Sequence, residues 1–156
     1  INLEMLLVGQ ERARKQRLGG AIEWLCANGE VLPIPDSSMD VVTCAFGIRN
    51  MTDKSAALAE IHRILKPGGR FMCLEFSRLA LPGLEKLYDK YSFEVVPQLG
   101  RLVANDEASY RYLAESIRTF PDQDAFADMI SHAGFSKVKY RNLAGGIAAM
   151  HSAWRI

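Results

Sequence analysis

Met39-Asp40-Val41-Val42-Thr43-Cys44-Ala45-Phe46-Gly47-Ile48-Arg49-Asn50 and Lys66-Pro67-Gly68-Gly69-Arg70-Phe71-Met72-Cys73-Leu74-Glu75-Phe76-Ser77 bracket a segment whose apolar residues Leu58, Ile61, Ile64 and Leu65 recur at helical spacing. Two short runs rich in Val, Phe, Cys and Leu around one amphipathic helix read as strand, crossover helix and parallel strand. Thr52 or Asp53 can cap that helix, and Pro67-Gly68-Gly69 ends it and turns the chain into the second strand. The unit predicts an α/β fold. Parallel sheets are buried on both faces and bind ligands outside the carboxyl ends of their strands. Chemistry is therefore expected at residues 45–50 and 75–77.

Upstream of this unit, Leu3, Leu6 and Leu7 lead into a basic helical stretch that Leu18-Gly19-Gly20 is suited to stop. Residues 21–27 predict a short strand, Asn28-Gly29-Glu30 a turn, and Leu32-Pro33-Ile34-Pro35-Asp36 a rigid loop. The opening Ile1-Asn2-Leu3 reads as a chain that begins just after a strand. Downstream, Leu84, Leu87, Tyr88, Tyr91 and Val95 fall at helical spacing up to Pro97, and Tyr110, Tyr112, Leu113 and Ile117 form a second short helix after Asn105-Asp106. Residues 78–120 thus read as a helical insertion, either core or a lid over the carboxyl end of the sheet. Four of the five tyrosines lie in it, which favours an apolar aromatic substrate. Pro121-Asp122 opens a helix carrying Phe126, Met129, Ile130 and Ala133, closed by Gly134; Val138-Lys139-Tyr140 and Ile147-Ala148-Ala149-Met150 then predict an antiparallel pair.

A length of 156 residues fits one domain, and 49% hydrophobic residues suffice for a core. The 19 basic and 18 acidic residues are interspersed, for a net charge of +1, which argues against a nucleic-acid partner. Cys26, Cys44 and Cys73 each lie in a strand-like run without CxxC spacing and are expected to be buried thiols in a reducing compartment. His62, His132 and His151 have no metal-ligand spacing, so no metal is expected. No apolar run approaches the roughly 18 residues of a spanning helix, so the expectation is an intracellular protein, at most peripheral to a membrane.

No Ser-His-Asp or Cys-His signature and no GxGxxG between strand and helix is present. Arg49-Asn50 stands out. A guanidinium beside an amide, just past a buried strand, offers fixed donors for an oxyanion or phenolate and a group to orient water; equally, Arg49 could only pair with Glu60 or Asp53. Glu75, a carboxylate ending an apolar strand, is either a paired structural charge or a site residue.

Phe46-Gly47-Ile48-Arg49-Asn50-Met51-Thr52-Asp53, Leu65-Lys66-Pro67-Gly68-Gly69-Arg70, Leu74-Glu75-Phe76-Ser77 and Ser109-Tyr110-Arg111-Tyr112-Leu113-Ala114-Glu115-Ser116-Ile117 together resemble the ubiquinone/menaquinone biosynthesis C-methyltransferases. The resemblance runs from Ile1 to the C-terminus; the LKPGG turn is common to many class I S-adenosylmethionine methyltransferases, whereas GIRN, LEFS and SYRYLAESI are specific to this family. It implies a Rossmann-like class I sheet, mostly parallel with an antiparallel C-terminal strand, in the order 3-2-1-4-5-7-6. It also implies that strands 1 and 2 and the glycine-rich loop precede Ile1, so that residues 1–156 are a partial methyltransferase domain. Loss of those strands would expose one edge of the first strand above and favour association through it.

The family implies S-adenosylmethionine as cofactor, with Ile1 and Asn2 following the acidic residue that grips its ribose. Asn28 and Gly29 would stand at the adenine region, Gly29 where alanine is usual, and Ala45 where serine is frequent. The reaction implied is C-methylation of a polyprenylated benzoquinol or naphthoquinol. Arg49 would stabilise a phenolate and Asn50 position it or a water; Phe46 and Glu75 would lie on the substrate side, and Tyr88, Tyr91, Tyr110 and Tyr112 would line the ring and tail pocket. A bilayer-resident quinol implies peripheral contact with the inner membrane, from the cytoplasm or, in a eukaryote, the mitochondrial matrix. Residues 81–96, with Leu84 and Tyr88, are the expected mouth, and a homodimer or a quinone-biosynthesis assembly the expected protein partner. The alternative is a non-catalytic scaffold subunit of such an assembly. A nicotinamide-dependent oxidoreductase is disfavoured by the antiparallel end of the chain.

Overall fold

The computed structural model describes residues 3–79 and 107–156. In chain order these form α1 (Leu3–Lys15), β1 (Met39–Ala45), α2 (Lys54–Ile64), β2 (Leu65–Phe76), α3 (Glu107–Thr119), α4 (Gln123–His132), β3 (Ser136–Leu143) and β4 (Ala148–Trp154). The four strands make one sheet in the order β1-β2-β4-β3. β1 and β2 are parallel, and β4 is antiparallel to both of its neighbours. This is the 4-5-7-6 stretch of the expected class I sheet.

The central unit forms for the reasons its sequence suggests. The Asp53 carboxylate caps α2 by accepting the Ala56 N–H, satisfying one of the orphan donors of the first turn. Ala57, Leu58, Ile61 and Ile64 of α2 are buried. Leu58 and Ile61 pack with Phe71 and Cys73 of β2 and with Phe126 and Ile130 of α4 in a single core. Asp122 caps α4 through the Ala125 N–H, and Gly134, at φ +97°, ends it where a side chain would sit 3.2 Å from the His62 ring. At the far end of α2, the Arg155 guanidinium donates to the carbonyls of His62 and Arg63 at 3.0 and 2.9 Å, tying β4's exit to the helix C-terminus.

The 32–36 loop is held by two residues of α2, Arg63 and Glu60. Arg63 donates to the carbonyls of Leu32 and Ile34 at 2.9 and 2.8 Å and pairs with Glu60 and Asp36. The Glu60 carboxylate in turn accepts the Leu32 N–H at 2.7 Å, and its bond to Arg63 leads in holding its pKa down at about 2.

Four expectations are corrected. Pro67-Gly68-Gly69 does not end the helix: α2 stops at Ile64 and the three residues lie within β2, which begins at Leu65. Residues 21–27 are not a strand. The backbone at Ile22 is extended, but β1 is the edge of the described sheet and no ladder partner lies beside this segment. A strand exists only through its neighbours' hydrogen bonds; without them Ile22, Trp24 and Leu25 stay substantially exposed, and Trp24 instead covers Gly9 of α1. Cys26 is for the same reason exposed, while Cys73 is buried and Cys44 half-buried. The first helix stops at Lys15, ahead of the Gly19-Gly20 pair, which begins a short 3-10 turn. Of the 78–120 insertion, α3 is seen; Leu84, Leu87, Tyr88, Tyr91 and Val95 lie outside the described residues, as do Ile1 and Asn2.

Candidate active site

β1 ends opposite β2 with Ala45 against Leu74, so the turn after β1 comes down beside Glu75. Phe46 takes a left-handed backbone, φ +54°, and its N–H still donates to the Leu74 carbonyl at 2.8 Å. That reversal sends the chain into a 3-10 turn, Ile48–Asn50, whose Ile48 is buried as its anchor. Arg49 and Asn50 are thereby presented at the carboxyl ends of the two parallel strands.

Arg49 pairs with neither Glu60 nor Asp53. Its Nη1 donates to Glu75 Oε1 at 3.0 Å and to the Phe46 carbonyl, and its backbone N–H donates to Glu75 Oε2 at 3.2 Å. Glu75 Oε1 also accepts its neighbour Phe76 N–H at 2.9 Å. The pair is desolvated, with side chains 11% and 1% exposed for Arg49 and Glu75. Arg49 Nε is buried without a hydrogen-bond partner, and the guanidinium lies 5.4 Å from the centre of the Phe76 ring, which tilts against Phe46 at 4.6 Å. A carboxylate that seizes both the head and the backbone of one arginine fixes the direction of the guanidinium fork.

The second half of the constellation comes from α3. Tyr112 donates its hydroxyl to Asn50 Oδ1 at 3.0 Å, and Asn50 Nδ2 reaches the Phe46 carbonyl at 3.4 Å. Tyr112 is 56% exposed, so it stands at a rim and not in a core, while Tyr110 is half-buried. The structure thus brings Phe46, Arg49, Asn50, Glu75 and Tyr112 together. Tyr88 and Tyr91 lie outside the described residues.

Asn28 and Gly29 form a turn fastened over the start of α2. The Asn28 side chain accepts the Glu30 N–H at 3.1 Å, and the Glu30 carboxylate accepts the N–H groups of Thr52 and Asp53 at 2.7 and 3.1 Å. A methyl group on residue 29 would come 2.6 Å from the tip of Met51, a flexible side chain that can yield. Ala45 is exposed at the end of β1. Uncharged Asn28, Gly29 and Ala45 suit the neutral adenosyl portion of a cofactor. Sequence reading missed Glu30, whose carboxylate ties this turn to the entrance of α2, and Phe76, whose ring faces Arg49. Among the described residues no group of three acidic, His or Cys side chains could hold a metal, and no helix is long and apolar enough to cross a membrane.

Solved structures with the same fold include a SAM-dependent methyltransferase of Thermotoga maritima, with TM-score 0.63, 19% identity, and coverage of 92% of this chain and 70% of that one. A SAM-dependent methyltransferase of Aquifex aeolicus superposes with TM-score 0.67 at 16% identity, over 100% of this chain and 66% of that one. At such identities the likeness shows the class I methyltransferase fold alone. Closer in sequence are proteins named ubiquinone/menaquinone biosynthesis C-methyltransferase UbiE. That of Bartonella henselae is 58% identical over 156 residues, 100% of this chain and 60% of that protein. That of a Bradyrhizobium species is 57% identical, again over the whole chain and 62% of that protein. The chain therefore spans about three fifths of the length of the curated relatives it matches. The model of the ubiE/COQ5 methyltransferase family matches residues 1–155, a span that includes both strands of the Arg49–Glu75 pair and the helix that supplies Tyr112. The chain belongs to the ubiE/COQ5 methyltransferase family.

Proposed function

We propose that the protein to which these residues belong methylates a ring carbon of a polyprenylated benzoquinol or naphthoquinol, with S-adenosylmethionine as methyl donor. The observation that carries this reading is the desolvated Arg49–Glu75 pair at the carboxyl ends of β1 and β2, joined to the Asn50–Tyr112 bond. The names of the relatives support it.

S-adenosylmethionine supplies, when bound, an electrophilic methyl group on a sulfonium. Asn28, Gly29 and Ala45 would hold its adenosyl portion, with Ile1 and Asn2 on the ribose side. Carbon methylation requires electron density on the ring, and that density rises when a ring hydroxyl loses its proton. Arg49 stabilises the resulting phenolate. Its Nη1 is committed to Glu75 and Phe46, which leaves the other terminal nitrogen of the fork to face the ring oxygen. Asn50, steadied by Tyr112, orients the oxygen or a water beside it. The rings of Phe46 and Phe76 offer an apolar wall for the quinol, and Tyr110 and Tyr112, with Tyr88 and Tyr91, would line the ring and tail pocket. Glu75 serves the substrate through Arg49 and does not touch it. The helical segment that includes α3 covers the pocket and receives the prenyl chain from the surface of the inner membrane, where the protein makes peripheral contact, alone or as a homodimer or in a quinone-biosynthesis assembly.

Mass spectrometry of quinones from a strain lacking the protein tests the reading. The ring should accumulate one methyl group short, and the purified complete protein with isotopically labelled S-adenosylmethionine should place the label on ring carbon. Unchanged ring methylation in that strain would overturn it.

A further inference from the structure

We propose that Gln123 is a positioning residue for the quinol site: its side-chain amide grips the chain where it leaves β2 and so fixes the Phe76 wall next to Arg49. The effect on the quinol rests on the function proposed above; the grip itself does not.

The two ends of the 78–120 insertion are held differently. On the return, Phe120 is 2% exposed with its ring 4.9 Å from that of Phe126, and Asp122 caps α4. That end is anchored in the core. On the departure, the β2–β4 ladder ends with Phe76 opposite Ala148, and the Ser77 N–H donates to the Ile147 carbonyl at 3.0 Å. The Ser77 hydroxyl beside it is buried without a partner, and Arg78 is exposed.

Gln123 joins this end to the anchored one. It opens α4 and is 8% exposed. Its Nε2 donates to the Arg78 carbonyl at 2.8 Å and to Asn142 Oδ1 at 3.1 Å, with the Gly146 carbonyl at 3.5 Å. Three oxygens thus converge on an NH2 group, a donor that neither a carboxylate nor an apolar side chain of the same length supplies. The Gln123 main chain is itself fixed, because its carbonyl accepts from His151 Nε2 of β4 at 3.0 Å. The amide therefore acts from a rigid base.

Phe76 lies just upstream of Arg78, with its ring 5.4 Å from the Arg49 guanidinium and 4.6 Å from the Phe46 ring. The stretch that Gln123 holds is thus continuous with the apolar wall on which the quinol ring would seat. The bonds from Arg49 to Glu75 do not run through Gln123. Loss of the grip should therefore weaken seating of the ring and leave the step that follows nearly intact, a rise in KM at steady kcat.

Gln123→Glu, of the same size, and Gln123→Met, of the same length without a donor, test this in the complete protein. Amide hydrogen exchange is followed by mass spectrometry over residues 74–79 and over α2, S-adenosylmethionine affinity by calorimetry, and steady-state kinetics with the quinol. We expect exchange over residues 74–79 to quicken about tenfold in both variants while α2 is unaltered. The KM for the quinol should rise about fivefold or more, with kcat and cofactor affinity within about threefold of the unaltered protein. Unaltered exchange over residues 74–79 overturns the grip. Failure of both variants to fold, equally faster exchange in α2, or cofactor affinity lost in step shows Gln123 to serve the fold alone and overturns the positioning role. Faster exchange with an unaltered KM, or a loss confined to kcat, overturns the link to the ring. If the quinol is not the substrate, the unaltered protein does not turn it over and the exchange difference persists, so the two failures are distinguishable.

Discussion

Replacing Glu75 with glutamine removes the negative charge from a site where nothing else can supply it. Glu75 accepts three hydrogen bonds, from Arg49 Nη1 at 3.0 Å, from the Arg49 amide at 3.2 Å and from the Phe76 amide at 2.9 Å. Glutamine keeps one carbonyl oxygen and turns an NH2 toward donors. At 1% exposure for Glu75 and 11% for Arg49, water cannot make good the loss. Breaking such a desolvated pair from one side costs about 3–5 kcal/mol, because a charge is left unpaired; an exposed pair would cost no more than about 1 kcal/mol. Urea unfolding of the complete protein measures it, with Arg49→Met and the double variant closing the cycle. The double variant should be less destabilised than the sum of the singles by about 2 kcal/mol or more. A cost below about 1 kcal/mol for Glu75→Gln, or simple additivity, would refute the claim that Glu75 holds Arg49 as a buried ion pair.

Two further outcomes follow from the same geometry. Tyr112→Phe deletes the hydroxyl that holds Asn50 at 3.0 Å; stability should change by less than about 1 kcal/mol while turnover falls several-fold, and unchanged turnover would show the bond to be incidental. Burial lowers the pKa of both His151 and His62, so at mildly acid pH the unfolded chain binds more protons than the folded one. The unfolding free energy should be fully retained above about pH 6.5 and fall as pH drops below it. His151→Phe should flatten part of that slope in urea titrations at stepped pH, and a slope unaltered by the variant would contradict the assignment.

Local chemistry was legible in the sequence. The βαβ unit, the Asp53 cap, the α4 start at Asp122 and the antiparallel end each rest on a pattern confined to a few neighbours, and each is present. The strands β3 and β4 run longer than their apolar patterns because ladder bonds continue through Arg141, Asn142 and Ser152, whose side chains do not advertise a strand. Residues 21–27 failed for the opposite reason: the residues suit a strand, but a strand needs a partner that the described chain does not place there. For the site, Arg49, Asn50 and Glu75 were visible as candidates, whereas the partner of Arg49 was not. Glu75 lies 26 residues away and is delivered by the parallel register. Aligning the two strands so that the ends of their apolar runs coincide would have pointed to it. The Tyr112–Asn50 bond spans 62 residues and carries no local signal at all.

The central claim is that Arg49 acts on the reacting ring and not on the fold or the cofactor. Arg49→Lys keeps a positive charge within reach of Glu75 but replaces the planar fork with a single ammonium that cannot face Glu75, Phe46 and a ring oxygen together. In the complete protein, turnover of the quinol should fall on the order of a hundredfold or more, while S-adenosylmethionine affinity by calorimetry stays within about threefold of the unaltered protein. Turnover retained by Arg49→Lys, or lost in step with cofactor affinity, would contradict the account.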